Sequence, residues 1–229
     1  MMILDRFCIK SLKITIFLKI IPNSSTELIL RVPQKMTSIL KAVGSVVTGK
    51  FLDKPVFESN VKNPNEGIEE RHYVASKWVS TSIEGMSHEE ARRIGFQRLF
   101  KYITGSNEKN QKVDMTAPVT TQIVPGAGPN CENSFTVSFY IPTEHQDNPP
   151  KPSATDVFIE ERPAMDVYVT KFGGFAKEDD WLSEAKTLTD KIKDSSKIKQ
   201  DMWFTAGYNS PFQLIGRTNE VWLVKNNDK

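Results

Sequence analysis

The side chains of this chain that could do chemistry are few: three histidines, two cysteines and a run of basic residues on one helical segment. The sequence carries no Gly-x-Ser-x-Gly elbow, no His-Glu-x-x-His pair, no phosphate-binding Walker loop and no Cys-x-x-Cys. His145 lies in a proline-rich bridge, 142–152, where solvent is its natural surrounding. His88 falls in the first turn of a helix, where the dipole disfavours a cation. His72, beside Tyr73 ahead of the first long strand, is the candidate ligand, and a plain strand-edge histidine is the alternative reading. Nucleophilic, redox and metal hydrolytic chemistry therefore find no motif here, which leaves binding.

The elements that must position these residues follow from periodicity. Ser87 with Glu90 three residues on forms a capping-box signature, and a helix is expected from there to about Ile103, closed by Gly105. Its apolar stripe is Ala91, Ile94, Gly95, Leu99, Tyr102 and Ile103, widened by Phe96 and Phe100. Arg92, Arg93, Arg98 and Lys101 form the basic remainder, read as a solvated face. A second helix is expected through Trp181, Ala185, Leu188 and Ile192, with Asp179 and Asp180 in its first turn and Lys191 and Lys193 in its last. Strands are expected over 71–83, 113–124, 135–141, 157–161, 165–172, 202–208 and 220–225.

The landmarks repeat. Lys112-Val113-Asp114-Met115-Thr116-Ala117-Pro118-Val119 and Gly207-Tyr208-Asn209-Ser210-Pro211-Phe212 each set a small residue and a proline at a strand start. Pro118 and Pro211 stand 93 residues apart, and Gly85 and Gly174 stand 89 apart. Near-constant offsets predict one strand-helix-strand-strand unit used twice, over about 69–142 and 156–226.

At 229 residues, 38% hydrophobic and 25% charged, the chain has the composition of a folded globular protein. A net charge of +2 gives no strong attraction to nucleic acid or to an anionic membrane. Cys8 and Cys131 stand in unrelated contexts, so a reducing compartment such as the cytoplasm is expected. Residues 1–35 read as a disordered leader whose apolar run, 14–21, is too short to span a bilayer. Residues 36–68 read as a loosely attached extension with a short helix at most, and the compact domain is expected to start near Glu69.

The core Met115-Thr116-Ala117-Pro118-Val119, with Glu69-Glu70-Arg71-His72-Tyr73, Phe172-Gly173-Gly174-Phe175, Ala206-Gly207-Tyr208-Asn209-Ser210-Pro211 and Asn219-Glu220-Val221-Trp222-Leu223, resembles the SOUL haem-binding protein family over about 69–226. The resemblance implies an α+β fold: two repeats forming a distorted antiparallel β-barrel flanked by two helices. It implies non-catalytic, weak binding of haem or another tetrapyrrole. Carried over by position, the first helix supplies the wall through Phe96, Leu99 and Phe100, while Arg93 and Lys101 hold the propionates. His72 takes the place of a possible axial iron ligand. Where the family expects a basic residue after the second proline landmark, this chain has Gln213, which weakens the clamp. The resemblance also implies an alternative: an interaction protein promoting mitochondrial permeability and cell death through a helix-in-groove contact with survival-family partners. The segment 188–194 would carry it, but Lys191 and Ser195 stand where apolar anchors are wanted.

Overall fold

The computed structural model describes residues 52–63, 67–85, 87–126, 133–210 and 213–226. The leader, Cys8, Cys131 and Pro211 lie outside the described residues. Nine strands form one antiparallel sheet: β1 (Phe57–Asn63), β2 (Ile68–Tyr73), β3 (Ser76–Glu84), β4 (Val119–Val124), β5 (Ser134–Tyr140), β6 (Phe158–Arg162), β7 (Met165–Phe172), β8 (Ile198–Gly207) and β9 (Asn219–Lys225). Helix α1 (His88–Ile103) follows β3 and helix α2 (Glu178–Ile192) follows β7. The strand order is β1-β2-β7-β9-β8-β4-β5-β3-β6, so the sheet is a curled half-barrel with β1 and β6 as edges.

That order has a two-fold correspondence. β3, α1, β4 and β5 run in one half as β7, α2, β8 and β9 run in the other, and β4 pairs with β8 at the centre. The strand before each unit crosses over: β2 pairs with β7, and β6 pairs with β3. Gly85 and Gly174 both hold left-handed φ, at 74° and 85°, where the chain turns from strand toward helix.

Both helices pack on one face of the sheet. In β3, Val79, Thr81 and Ile83 point to that face, as their alternation predicts, while Trp78 and Ser80 point to the other. Under α1 lies a core of Ala91, Leu99, Tyr102 and Ile103 against Ile123, Phe135, Val137 and Phe139. Under α2, Trp181 and Leu188 pack on Ile198, Val221 and Leu223. Each such buried side chain contributes about 1.5–3 kcal/mol. The opposite face carries Tyr73, Val167, Val169, Phe204, Ala206, Trp222 and Val224.

Three expectations are corrected. The segment before Glu69 is no loose extension at 57–63, because β1 pairs with β2 and Asp53 accepts from the backbone of Ala117 and Thr143. The single strand expected over 71–83 breaks at Val74 and Ala75. The strand expected from Val113 begins only at Val119, after a cis Ala117–Pro118 bond, and Thr116 Oγ1 is bound to the Tyr140 carbonyl.

Gly95 sets how closely α1 approaches the sheet. A Cβ there would lie 2.5 Å from Val137 Cγ2 and 2.6 Å from Val137 Cβ, so rotating the valine cannot relieve the contact. Alanine would gain about 1 kcal/mol of helix propensity but overpack a full core, a cost of about 1–3 kcal/mol. Gly95→Ala is therefore expected to lower the thermal midpoint, and adding Val137→Ala, which keeps the Cβ at 2.6 Å, should not restore it. A midpoint unchanged or raised in the single variant would refute this close-approach account.

Candidate functional site

Helix α1 is held at both ends. Ser87 Oγ accepts from Glu90 N at 3.3 Å, so the N-cap is as expected, while the Glu90 carboxylate turns to Arg93 at 3.6 Å. His88 is buried, with Nε2 3.1 Å from Thr205 Oγ1 and its ring 5.9 Å from that of Trp181. At the other end Tyr102 donates to the Pro150 carbonyl at 2.7 Å.

Between these anchors one flank of the helix shows a row at i, i+4 and i+8: Arg92, Phe96 and Phe100, all half-buried. The two phenylalanine rings stack at 5.8 Å and 16°, and Phe96 meets Phe139 edge-on at 5.3 Å. Leu99 is wholly buried under the helix, so of the expected wall only Phe96 and Phe100 keep some exposure, both packed against the edge of the same core. Arg93 is solvent-exposed and paired with Glu90, and Lys101 is exposed one helical position beyond Phe100. The basic residues are thus no uniform solvated face. Arg98 is half-buried, its Nε 2.8 Å from Asp156, and Arg92 turns inward.

Arg92 reaches the corner where β8 ends. Its Cζ lies 5.7 Å over the Trp181 ring, and its Nη2 would be 3.9 Å from a Cβ on Gly207. Arg217, from the loop joining β8 to β9, meets the same corner. Its Cζ sits 4.4 Å over the Phe175 ring, and Nη1 donates to the Ser210 and Gln213 carbonyls at 2.7 and 2.9 Å. Both guanidiniums have lowered pKa values: Arg92 by burial and then by the positive field of Arg217, with Glu89 opposing, and Arg217 by burial. Among the described residues, no carboxylate stands within ion-pair distance of either. Arg217 Nε and Trp181 Nε1 are buried donors with no hydrogen-bond partner among the described residues. Gln213 turns its amide into its own loop, donating to the carbonyls of Ile215 and Gly216. Leu214 and Ile215 beside it are exposed by 74% and 86%.

His72 lies elsewhere. It is half-exposed on β2, and its Nδ1 is 2.9 Å from Asp166 Oδ1 on β7. That carboxylate holds Nδ1 and orients the ring, as a carboxylate does behind a ligating histidine. Asp166 is at the start of β7 and Phe172 at its end, next to Gly173, which the Arg217 carbonyl approaches. Seven residues of strand, roughly 23 Å, therefore separate His72 from the arginine corner. The structure joins Phe96, Phe100 and Arg92 and leaves His72, Arg93 and Lys101 out of that group.

A family model, "SOUL heme-binding protein", matches residues 52–224, and the chain belongs to that family. "Heme-binding protein 2" of Homo sapiens is 46% identical over 159 residues, covering 69% of this chain and 78% of the relative. "Heme-binding protein 1" of Xenopus laevis is 36% identical over 168 residues, covering 72% and 88%. Among solved structures, the EcmrR C-terminal domain aligns over 75% of this chain and 98% of its own, with a TM-score of 0.53 and 7% identity, a likeness of fold alone. The match from residue 52 agrees with β1 as part of the sheet.

The segment 188–194 offers no helix-in-groove surface, since Leu188 is fully buried and α2 ends at Ile192. No helix among the described residues is long and apolar enough to cross a membrane.

His88 gives the site end a pH dependence. Burial, followed by the charge of Arg92, lowers its pKa to about 3 from the ordinary 6.5. The unfolded chain takes up that proton first, so stability falls as pH drops below about 6.5 and goes on falling to about 3. Glu69, held at about 2 chiefly by the hydrogen bond from Arg71, loses its contribution only as pH falls below 4.5. Denaturant unfolding at pH 7 and pH 5 is expected to differ by about 2 kcal/mol through His88. In His88→Asn that difference should largely vanish, and a variant with the same pH slope would disprove the assignment.

Proposed function

We propose that this chain is a non-catalytic binding protein for haem or a related tetrapyrrole, of micromolar rather than nanomolar affinity. The observation that carries the reading is the half-buried Phe96–Phe100 stack on α1, running into a corner of guanidinium donors. A macrocycle needs an apolar platform with a few convergent polar groups, and its carboxylates need charge-assisted donors. The names of the relatives agree with that ligand class. When bound, haem would supply the redox and ligand chemistry of its iron. The chain's own residues would bind the ring face through Phe96 and Phe100 and orient its acidic edge.

His72, oriented by Asp166, suits iron ligation but stands at the opposite end of β7 from the arginine corner. The platform reading is adopted because apolar area is the larger source of affinity for a broad ligand. The cysteine content favours a reducing compartment, the cytoplasm.

Absorbance titration with haemin is expected to saturate with a Kd in the micromolar range, about −8 kcal/mol. Phe96→Ala with Phe100→Ala should weaken it at least tenfold, about 1.4 kcal/mol, while His72→Ala leaves it within about twofold. A flat titration of the intact chain would overturn the cofactor reading. Loss of binding in His72→Ala alone, with the fold intact by circular dichroism, would move the site to β2.

A further inference from the structure

We propose that Arg92 and Arg217 together form the carboxylate clamp of this protein, a role in which the exposed pair Arg93 and Lys101 takes no part. The ligand's identity rests on the tetrapyrrole reading above; the clamp itself rests on geometry. Arg92 is the first member of the row that continues as Phe96 and Phe100, so it lies at the end of the platform. Arg93 is rotated about 100° away, into solvent and toward Glu90.

Two guanidiniums converge on one corner, and among the described residues neither has a carboxylate within ion-pair distance. Glu89, on the same helix turn as Arg92, is the acidic group whose field partly offsets that of Arg217 on Arg92. Burying like charges together is unfavourable unless an anion joins them. Each guanidinium lies against an aromatic ring, Trp181 for Arg92 and Phe175 for Arg217. The ring covers one side of each guanidinium; Arg217 Nη1 is held by the Ser210 and Gln213 carbonyls, which fixes the group in place and leaves its other terminal nitrogen for a carboxylate. Arg217 Nε within that pair, and one further N–H donor, Trp181 Nε1, are buried and have no hydrogen-bond partner among the described residues. A corner with more donors than acceptors, and no carboxylate among the described residues, fits an anionic group. Phe175, Leu214 and Ile215, all exposed, border it and suit an apolar body attached to that group.

The test titrates the full chain with haemin, with haemin dimethyl ester and with laurate, a carboxylate bearing an apolar tail and no metal. The intact chain should prefer haemin over its ester at least tenfold. Arg92→Met, which keeps the apolar stem, should abolish that preference by weakening haemin and not the ester. Arg92→Lys should restore part of it, and Arg93→Ala with Lys101→Ala should leave it within about twofold. Without ligand, Arg92→Met should match or exceed the intact chain in thermal midpoint, because a buried like charge is removed. Equal affinity for haemin and ester in the intact chain would overturn the clamp. So would a preserved preference in Arg92→Met, or a midpoint that falls by several degrees and marks Arg92 as a packing residue. If no porphyrin binds but laurate does, and Arg92→Met loses it, the tetrapyrrole reading fails and the clamp stands. If neither porphyrin nor laurate binds, both fail.

Discussion

Two arginines sit inside this protein on the face of the sheet away from the helices, and the arrangement of the strands answers to them. Arg71, on β2, donates from both terminal nitrogens to Glu220 on β9, at 2.9 and 2.8 Å, and also to Glu69. Burial works against its charge, yet the bonds to Glu220 and Glu69 outweigh that and raise its pKa. Glu220 is itself nearly fully buried and accepts from Tyr208 and from Trp222 Nε1. Arg162, on β6, pairs with Glu160 and lies 4.1 Å over the Trp78 ring. Removing one partner from such a buried pair typically costs about 3–5 kcal/mol, since the other charge is left stranded. β2 and β6 are the strands that cross to the opposite unit; the crossing of β2 sets Arg71 against Glu220 of β9, while Arg162 keeps its partner Glu160 on β6 and reaches Ser138 of β5. Register and topology are thereby tied together.

The helix side depends on a different kind of constraint. α1 is placed by contact distance at Gly95, by a buried neutral histidine at its start and by Tyr102 at its end. With those points fixed, the helix has one rotation available, and that rotation decides which basic side chain turns inward. The donors at the β8 corner are consequences of how the core packs, so site and core are one mechanical unit.

Much of the fold was legible in the sequence because it is local. The alternation in β3 and β5, the Ser87 cap and the stripes of α1 and α2 are each set within a few residues. β1 was not legible: Phe57–Asn63 is a polar edge strand whose pairing depends on β2. The crossing of β2 and β6 was hidden for the same reason, although Glu69-Glu70-Arg71 and Glu160-Glu161-Arg162, 91 residues apart, were present as a signal. For the proposed site, Phe96 and Phe100 came from the family resemblance, while the stripe alone read them as core-facing. Arg92 was missed because neighbouring positions on a helix differ by about 100°, and only the i+4 spacing to Phe96 separates it from Arg93. Arg217 had no local signature, since its role comes from a loop meeting a distant helix.

The loop between β8 and β9 braces itself. Asn209 Oδ1 accepts from Thr218 N, Arg217 reaches back to Ser210, and Gln213 closes on Gly216. At the rim of the proposed site, a loop braced in this way would lose little ordering entropy on association. Encounter is then governed by diffusion and orientation rather than by a folding step at the rim. Ligands of differing fit are sorted chiefly by how long they stay.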